Sequence, residues 1–99
     1  MNQETKVTEI QIIPVKPKDG LIAFASFVLD EKYYIGSVAI YTRLNEAGYR
    51  LVYPTKKLGL NNISIFHPIT GATGRAIEQV VIGKINELFD ENHERAASK

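Results

Sequence analysis

Ninety-nine residues supply one core of ordinary size and not two, so a single domain is expected and a linker-joined pair is excluded. Twelve Lys and Arg stand against eleven Asp and Glu, for a formal net charge of +1, so the chain has no global field to pull it onto DNA or an anionic membrane, and any nucleic-acid surface must be a local patch. The absence of cysteine removes disulfide frameworks, thiol nucleophiles and thiolate metal sites together, and fits a reducing compartment.

The first six residues, Met1 to Lys6, are polar and carry no apolar signal core. No apolar run approaches the ~18 residues that a membrane span requires. A cytoplasmic protein, neither exported nor membrane-bound, is the expectation. Hydrophobic residues make up 44% of the chain and charged residues 23%, a balance that can offset ordering entropy everywhere but at the ends, so residues 1–6 and 91–99 are expected to be flexible around a domain at 7–90.

Val7 to Val15 carries Ile10, Ile12, Ile13 and Val15 among polar residues and reads as a first strand, closed by a breaker segment from Pro14 to Gly20. Leu21 to Leu29 is almost wholly apolar and is closed by Asp30-Glu31-Lys32. Its length and flanking turns predict a central strand rather than a buried helix. Tyr33 to Thr42 continues as a third strand, in which Gly36 signals a bulge or a close backbone approach. Turn chemistry at Asn45 to Gly48 leads to a fourth, Tyr49 to Tyr53. Connections this short make neighbouring strands antiparallel, a meander. From Pro54 to Asn62 the polar, glycine-containing stretch reads as an exposed loop, and Ile63 to Phe66 as a short edge strand or extended segment stopped by Pro68.

The period changes at Thr73. Ile77, Val80, Val81, Ile85, Leu88 and Phe89 recur at spacings of three and four, which places an apolar stripe on a helix capped by Thr73 or Thr70. Beyond Asp90 no apolar residue is larger than alanine, so fraying is expected there. The fold class is therefore α+β: an antiparallel meander of four to five strands followed by a C-terminal amphipathic helix.

Catalytic chemistry finds little footing. His93 sits in the expected tail, and His67, between Phe66 and Pro68, reads as a packed or hydrogen-bonded junction residue. A metal site or a general base would need the two close together with carboxylates in a cleft, which their positions do not suggest. Ser26, Ser37 and Ser64 lie on predicted strands without a nucleophile-elbow pattern. No cofactor, metal or small-molecule substrate is expected, and the chain reads as a non-enzyme.

Two segments suit an anion instead. Thr70-Gly71-Ala72-Thr73-Gly74-Arg75 puts small residues, hydroxyls and an arginine at a helix start, where backbone N–H groups can face a phosphate; a flexible linker with a cap explains the same residues. The segment lacks the Gly-Lys-Ser/Thr ending of a phosphate-binding loop, so nucleotide hydrolysis is not expected. Lys56 and Lys57 come after an aromatic-rich strand, where loop lysines can supply sequence-independent phosphate contacts or simply be solvated. Tyr33, Tyr41, Tyr49 and Tyr53 all carry odd numbers, a pattern that suggests one sheet face, suited to packing or to an interface more than to base stacking.

In order and spacing, Val52-Tyr53-Pro54-Thr55-Lys56-Lys57, then Ile65-Phe66-His67-Pro68-Ile69, then an arginine in a threonine/glycine context opening an amphipathic helix, resemble the SpoVG (septation protein) family. Val7-Thr8-Glu9-Ile10 and Ala23 to Asp30 resemble that family's first two strands, so the likeness runs from about Val7 to Phe89. The resemblance implies a bacterial cytosolic regulator connected with septation, sporulation and gene expression. It also implies a homodimer that binds DNA and, in some members, RNA.

The implied nucleic-acid-binding residues are Lys56, Lys57, Thr73, Gly74 and Arg75. Where the family has an Arg-Gly-Lys run, this chain has Gly74-Arg75-Ala76, which loses one basic residue and shifts the other by one position. A protein-interaction module with the same fold and little nucleic-acid affinity is the rival expectation, favoured by the near-neutral charge.

Overall fold

A computed structural model describes residues 5–44 and 47–97, with side chains described as far as Phe89. Strands β1 (Val7–Lys18), β2 (Leu21–Leu29), β3 (Tyr33–Thr42) and β4 (Tyr49–Val52) form one sheet in the order β1-β2-β3-β4. Every neighbouring pair is antiparallel, so this is the expected meander. Strands β5 (Thr55–Leu58) and β6 (Asn61–Ser64) pair only with each other, and the chain ends in helix α1 (Gly71–Ala97).

Alternation along β2 and β3 decides which side of the sheet the helix covers. Ala23, Ala25, Phe27 and Leu29 of β2 face the core together with Ile35, Val38 and Ile40 of β3 and Leu51 of β4. Ile77, Val81 and Ile85 of α1, each fully buried, close this face from the other side. Spacings of four put these three on one stripe, flanked by Ile82 and Phe89, whereas Val80 turns outward at 37% exposure. The result is two layers, with the second face of the sheet left uncovered by the helix.

Strand β1 does not stop at Pro14 but runs through Pro14 and Pro17 to Lys18. An edge strand tolerates proline because the N–H that proline lacks would face away from the ladder, and β1 is such an edge. The expected breaker segment is in fact a two-residue turn at its far end. Asp19 and Gly20 both have positive φ, 53° and 89°, between the paired Lys18 and Leu21, the signature of a hairpin turn that matches strand twist.

In β3 both readings of Gly36 hold. The β2–β3 register shifts beside it, and the Tyr34 ring comes within 3.2 Å of where a Cβ on Gly36 would stand.

The stretch after Pro54 is corrected from an exposed loop to the β5–β6 hairpin. Thr55 to Leu58 pairs with Asn61 to Ser64 across Gly59-Leu60, and Gly59 (φ 66°) occupies the first turn position, where a side chain is strained.

Of the ends expected to be flexible, 1–6 and 91–99, residues 1–4, 98 and 99 lie outside the described residues. At their inner borders, the Lys6 N–H donates to Asp30 Oδ1 at 2.9 Å while the Asp30 N–H donates to the Lys6 carbonyl at 2.8 Å. The chain is thus held before Val7. Helix α1 extends past Asp90 to Ala97, through glutamate, arginine and alanine residues of high helix propensity.

Candidate nucleic-acid interface

The β5–β6 hairpin carries Lys56 and Lys57, and every residue of both strands is exposed. Its attachment to the domain is narrow. The Ile65 N–H donates to the Pro54 carbonyl at 3.0 Å, and just beyond that bond Tyr53 and Phe66 meet edge to face with ring centroids 5.6 Å apart. This aromatic pair anchors both legs of the hairpin to the core. His67, the next residue, is exposed and shares a 2.6 Å hydrogen bond between Nδ1 and the Ser64 hydroxyl, the junction role expected of it. His93 lies on the last turns of α1, where side chains fall outside the described residues.

Anchoring has a local cost. The Tyr53 hydroxyl is buried and has no hydrogen-bond partner among the described residues. Desolvation, reinforced by the nearby Glu78 carboxylate, pushes its pKa up to about 12.

From Pro68 the chain enters the helix through a cap that the sequence placed at one of two threonines. Thr70 is that cap: its Oγ1 accepts the Thr73 N–H at 3.2 Å, and its carbonyl accepts the Gly74 N–H at 3.1 Å. Gly71 and Ala72 therefore form the first turn, two residues earlier than the apolar period suggests.

The three helix-start residues share one turn but not one exposure. Thr73 is half-buried, and its hydroxyl accepts from both Thr70 Oγ1 at 2.8 Å and Thr5 Oγ1 at 3.3 Å. Gly74 is half-buried against Pro68, whose Cγ lies 3.6 Å from where a Cβ would be. Both shape the turn. Arg75 alone is exposed, and it folds back over the turn that precedes it, with Nη1 3.0 Å from where a Cβ on Gly71 would stand.

The electrostatics of that turn are uncompensated. A helix N-terminus carries roughly half a positive charge, which acidic residues in the first turn usually offset. Here the first turn has none, and a guanidinium lies across it. Among the described residues neither Arg75 nor Lys56 nor Lys57 takes part in an ion pair, and no hydrogen bond joins the lysine hairpin to the helix start. The two basic elements are consecutive in the chain, 55–64 and 71–75, but separately mounted.

Among the described residues no cluster of His, Cys, Asp and Glu is grouped to hold a metal, and no helix is long and apolar enough to cross a membrane. A two-layer domain with an exposed basic hairpin feeding an acid-free helix cap defines a class: a small α+β protein whose candidate site is a surface and not a cleft. No family model matches the sequence. The chain is 30% identical over 86 residues to the protein of Finegoldia magna named "Putative septation protein SpoVG", spanning 86% of this chain and 78% of that one. The chain belongs to the SpoVG family.

Proposed function

We propose that this chain is a homodimeric, non-enzymatic nucleic-acid-binding regulator of the SpoVG type, acting in the bacterial cytoplasm in septation, sporulation or gene expression. Lys56, Lys57 and Arg75 contact the phosphate backbone of DNA or RNA, while Thr73 and Gly74 hold the turn that presents Arg75. The observation that carries this reading is the guanidinium lying over a helix start with no acidic residue in its first turn. A cation there is disfavoured by about 0.3–1 kcal/mol, and a bound phosphate removes that cost while satisfying the helix end. Two lysines on an arm with no share in the core add charge that folding does not require.

A second copy has a structural use. An isolated two-stranded hairpin is at best marginally stable in water, and this one exposes Leu58, Leu60 and Ile63, with Ile65 just beyond it. Pairing two copies shelters such surface and doubles the basic elements available to one ligand.

The test is a salt series of binding to duplex DNA, single-stranded DNA and RNA by the wild type and by Lys56→Ala/Lys57→Ala/Arg75→Ala. The triple variant should bind more weakly, with the slope of log K against log salt reduced by about 1 per lost contact. Unchanged binding in a folded variant removes the surface.

The near-neutral net charge and the Gly74-Arg75-Ala76 run favour a second reading, in which the fold serves as a protein-interaction module. Recovery of a stoichiometric protein partner after nuclease treatment, by protein that binds no nucleic acid at low salt, would select it.

A further inference from the structure

The face of the sheet turned away from α1 carries its own pattern. Pairing places Ile13, Phe24, Ala39 and Val52 in one row across all four strands, and Lys18, Leu21, Tyr41 and Arg50 in another. These rows lie on the side opposite the buried Ala23, Ala25, Val38 and Ile40. Between the first row and Tyr34 lies a shallow cavity of about 320 Å³, lined by Gln11, Ile13, Phe24, Ser26, Tyr34 and Ser37 among others, with no charged residue in its lining.

We propose that this face binds single-stranded nucleic acid, with an unpaired base held in the cavity between Phe24 and Tyr34 and the phosphate chain running toward Lys18 and Arg50. The surface is distinct from the Lys56, Lys57 and Arg75 elements.

Three features point to a base rather than to another flat apolar group. The lining pairs two aromatic rings with an amide and two hydroxyls, so a ring can stack while its edge finds donors and acceptors. Tyr34 is 74% exposed and lies across Gly36, where its ring comes within 3.2 Å of the position a Cβ would take, so only glycine leaves it that room. At the far end of the face the Arg50 guanidinium stands 5.0 Å from the Tyr41 ring centroid, held by cation–π attraction, and Lys18 occupies the same row on the opposite edge.

Phe24 and Tyr41 are diagonal neighbours across β2 and β3, a separation of ~7–8 Å, which an extended single strand covers in about one nucleotide. Aromatic stacking platforms flanked by cations are how sheets hold unpaired bases. A duplex, whose bases are already stacked on each other, cannot use this one.

The test compares fluorescein-labelled oligothymidylate and oligouridylate with a duplex of mixed sequence, using wild type, Tyr34→Ala and Phe24→Leu, which keeps apolar volume but loses the ring. Each variant should bind both single strands about tenfold or more weakly and the duplex as before. Because the chain has no tryptophan, its intrinsic emission is tyrosine emission, and single-strand binding should quench it less in Tyr34→Ala than in wild type. Wild type that fails to bind either single strand, or folded variants that bind as wild type does, would overturn the proposal. A fall in solution mass on Tyr34→Ala with oligonucleotide affinity unchanged would instead make this face a contact between copies, and also overturn it. Lys56→Ala/Lys57→Ala/Arg75→Ala should keep the quenching on oligothymidylate, so failure of the basic elements and failure of this face are separable.

Discussion

Tyr53 is the residue at which anchoring the hairpin conflicts with solvation. Its ring is needed against Phe66, yet its hydroxyl is buried, unpartnered among the described residues and near the Glu78 carboxylate. Tyr53→Phe keeps the ring contact and removes the orphaned group, so the variant should be more stable than wild type by about 1 kcal/mol in urea unfolding at neutral pH. The raised pKa sets the sign of the pH dependence. Below pH 10 the hydroxyl is protonated in both states, and between about 10 and 12 the unfolded chain loses that proton while the folded chain keeps it. Stability contributed by this group is therefore present below pH 10 and lost as pH rises toward 12. The melting temperature of wild type should fall further across that window than that of Tyr53→Phe, and parallel decline of the two would contradict the assignment. The tyrosines also mark where residue-level reading of the sequence fails. Their shared odd numbering suggests one face, but Tyr49 and Tyr53 pack toward the core while Tyr41 faces the other side. Two features shift the parity: a bulge at Ser37 (φ 60°) separates the face of Tyr33 from that of Tyr41, and the β3–β4 register sets Thr42 opposite Tyr49, so odd-numbered residues of β4 share a face with even-numbered ones of β3.

Elements were legible where a long apolar run set them. Strands β2 and β3 begin and end where the sequence puts them, because Asp30-Glu31-Lys32 is a polar interruption between two apolar runs and the loop it forms is short. Edges were not. Strand β1 survives two prolines because of its position in the sheet, which is tertiary information. The β5–β6 hairpin was hidden because its residues are polar or isolated apolar ones with no buried face to impose a period, leaving Gly59-Leu60 as its one local signal. At the helix, the apolar stripe locates the buried face but not the start, which is set by hydrogen bonds to Thr70. Thr70→Ala should cost about 1 kcal/mol and lower the melting temperature, while Thr70→Ser, which keeps the acceptor, should cost little. Ile77 lies seven residues further on, fully buried against the sheet. Ile77→Ala should cost about 2–5 kcal/mol in denaturant unfolding, and a loss below that would mean the helix packs more loosely than its burial indicates.

At the scale of the molecule, the division of labour is between a two-layer core that needs α1 and β1–β4 and a hairpin that contributes nothing to it. Leu58 is 58% exposed, Leu60 99% and Ile63 48%, so water in contact with these side chains gains nothing from the fold of one chain. That asymmetry makes the hairpin a place where stability and assembly can be measured apart. Leu58→Asn with Ile63→Thr should leave the unfolding free energy of the single chain within about 0.5 kcal/mol of wild type, since substitutions at exposed sites rarely do more. If the hairpin is sheltered by a second copy, the same pair should halve the solution mass at a concentration where wild type is dimeric. Dissociation would then separate the two lysine pairs, and nucleic-acid affinity should fall with the mass although Lys56, Lys57 and Arg75 are untouched. A double variant that stays dimeric would move the copy-to-copy contact away from the hairpin and leave its exposed leucines to the ligand or to another protein.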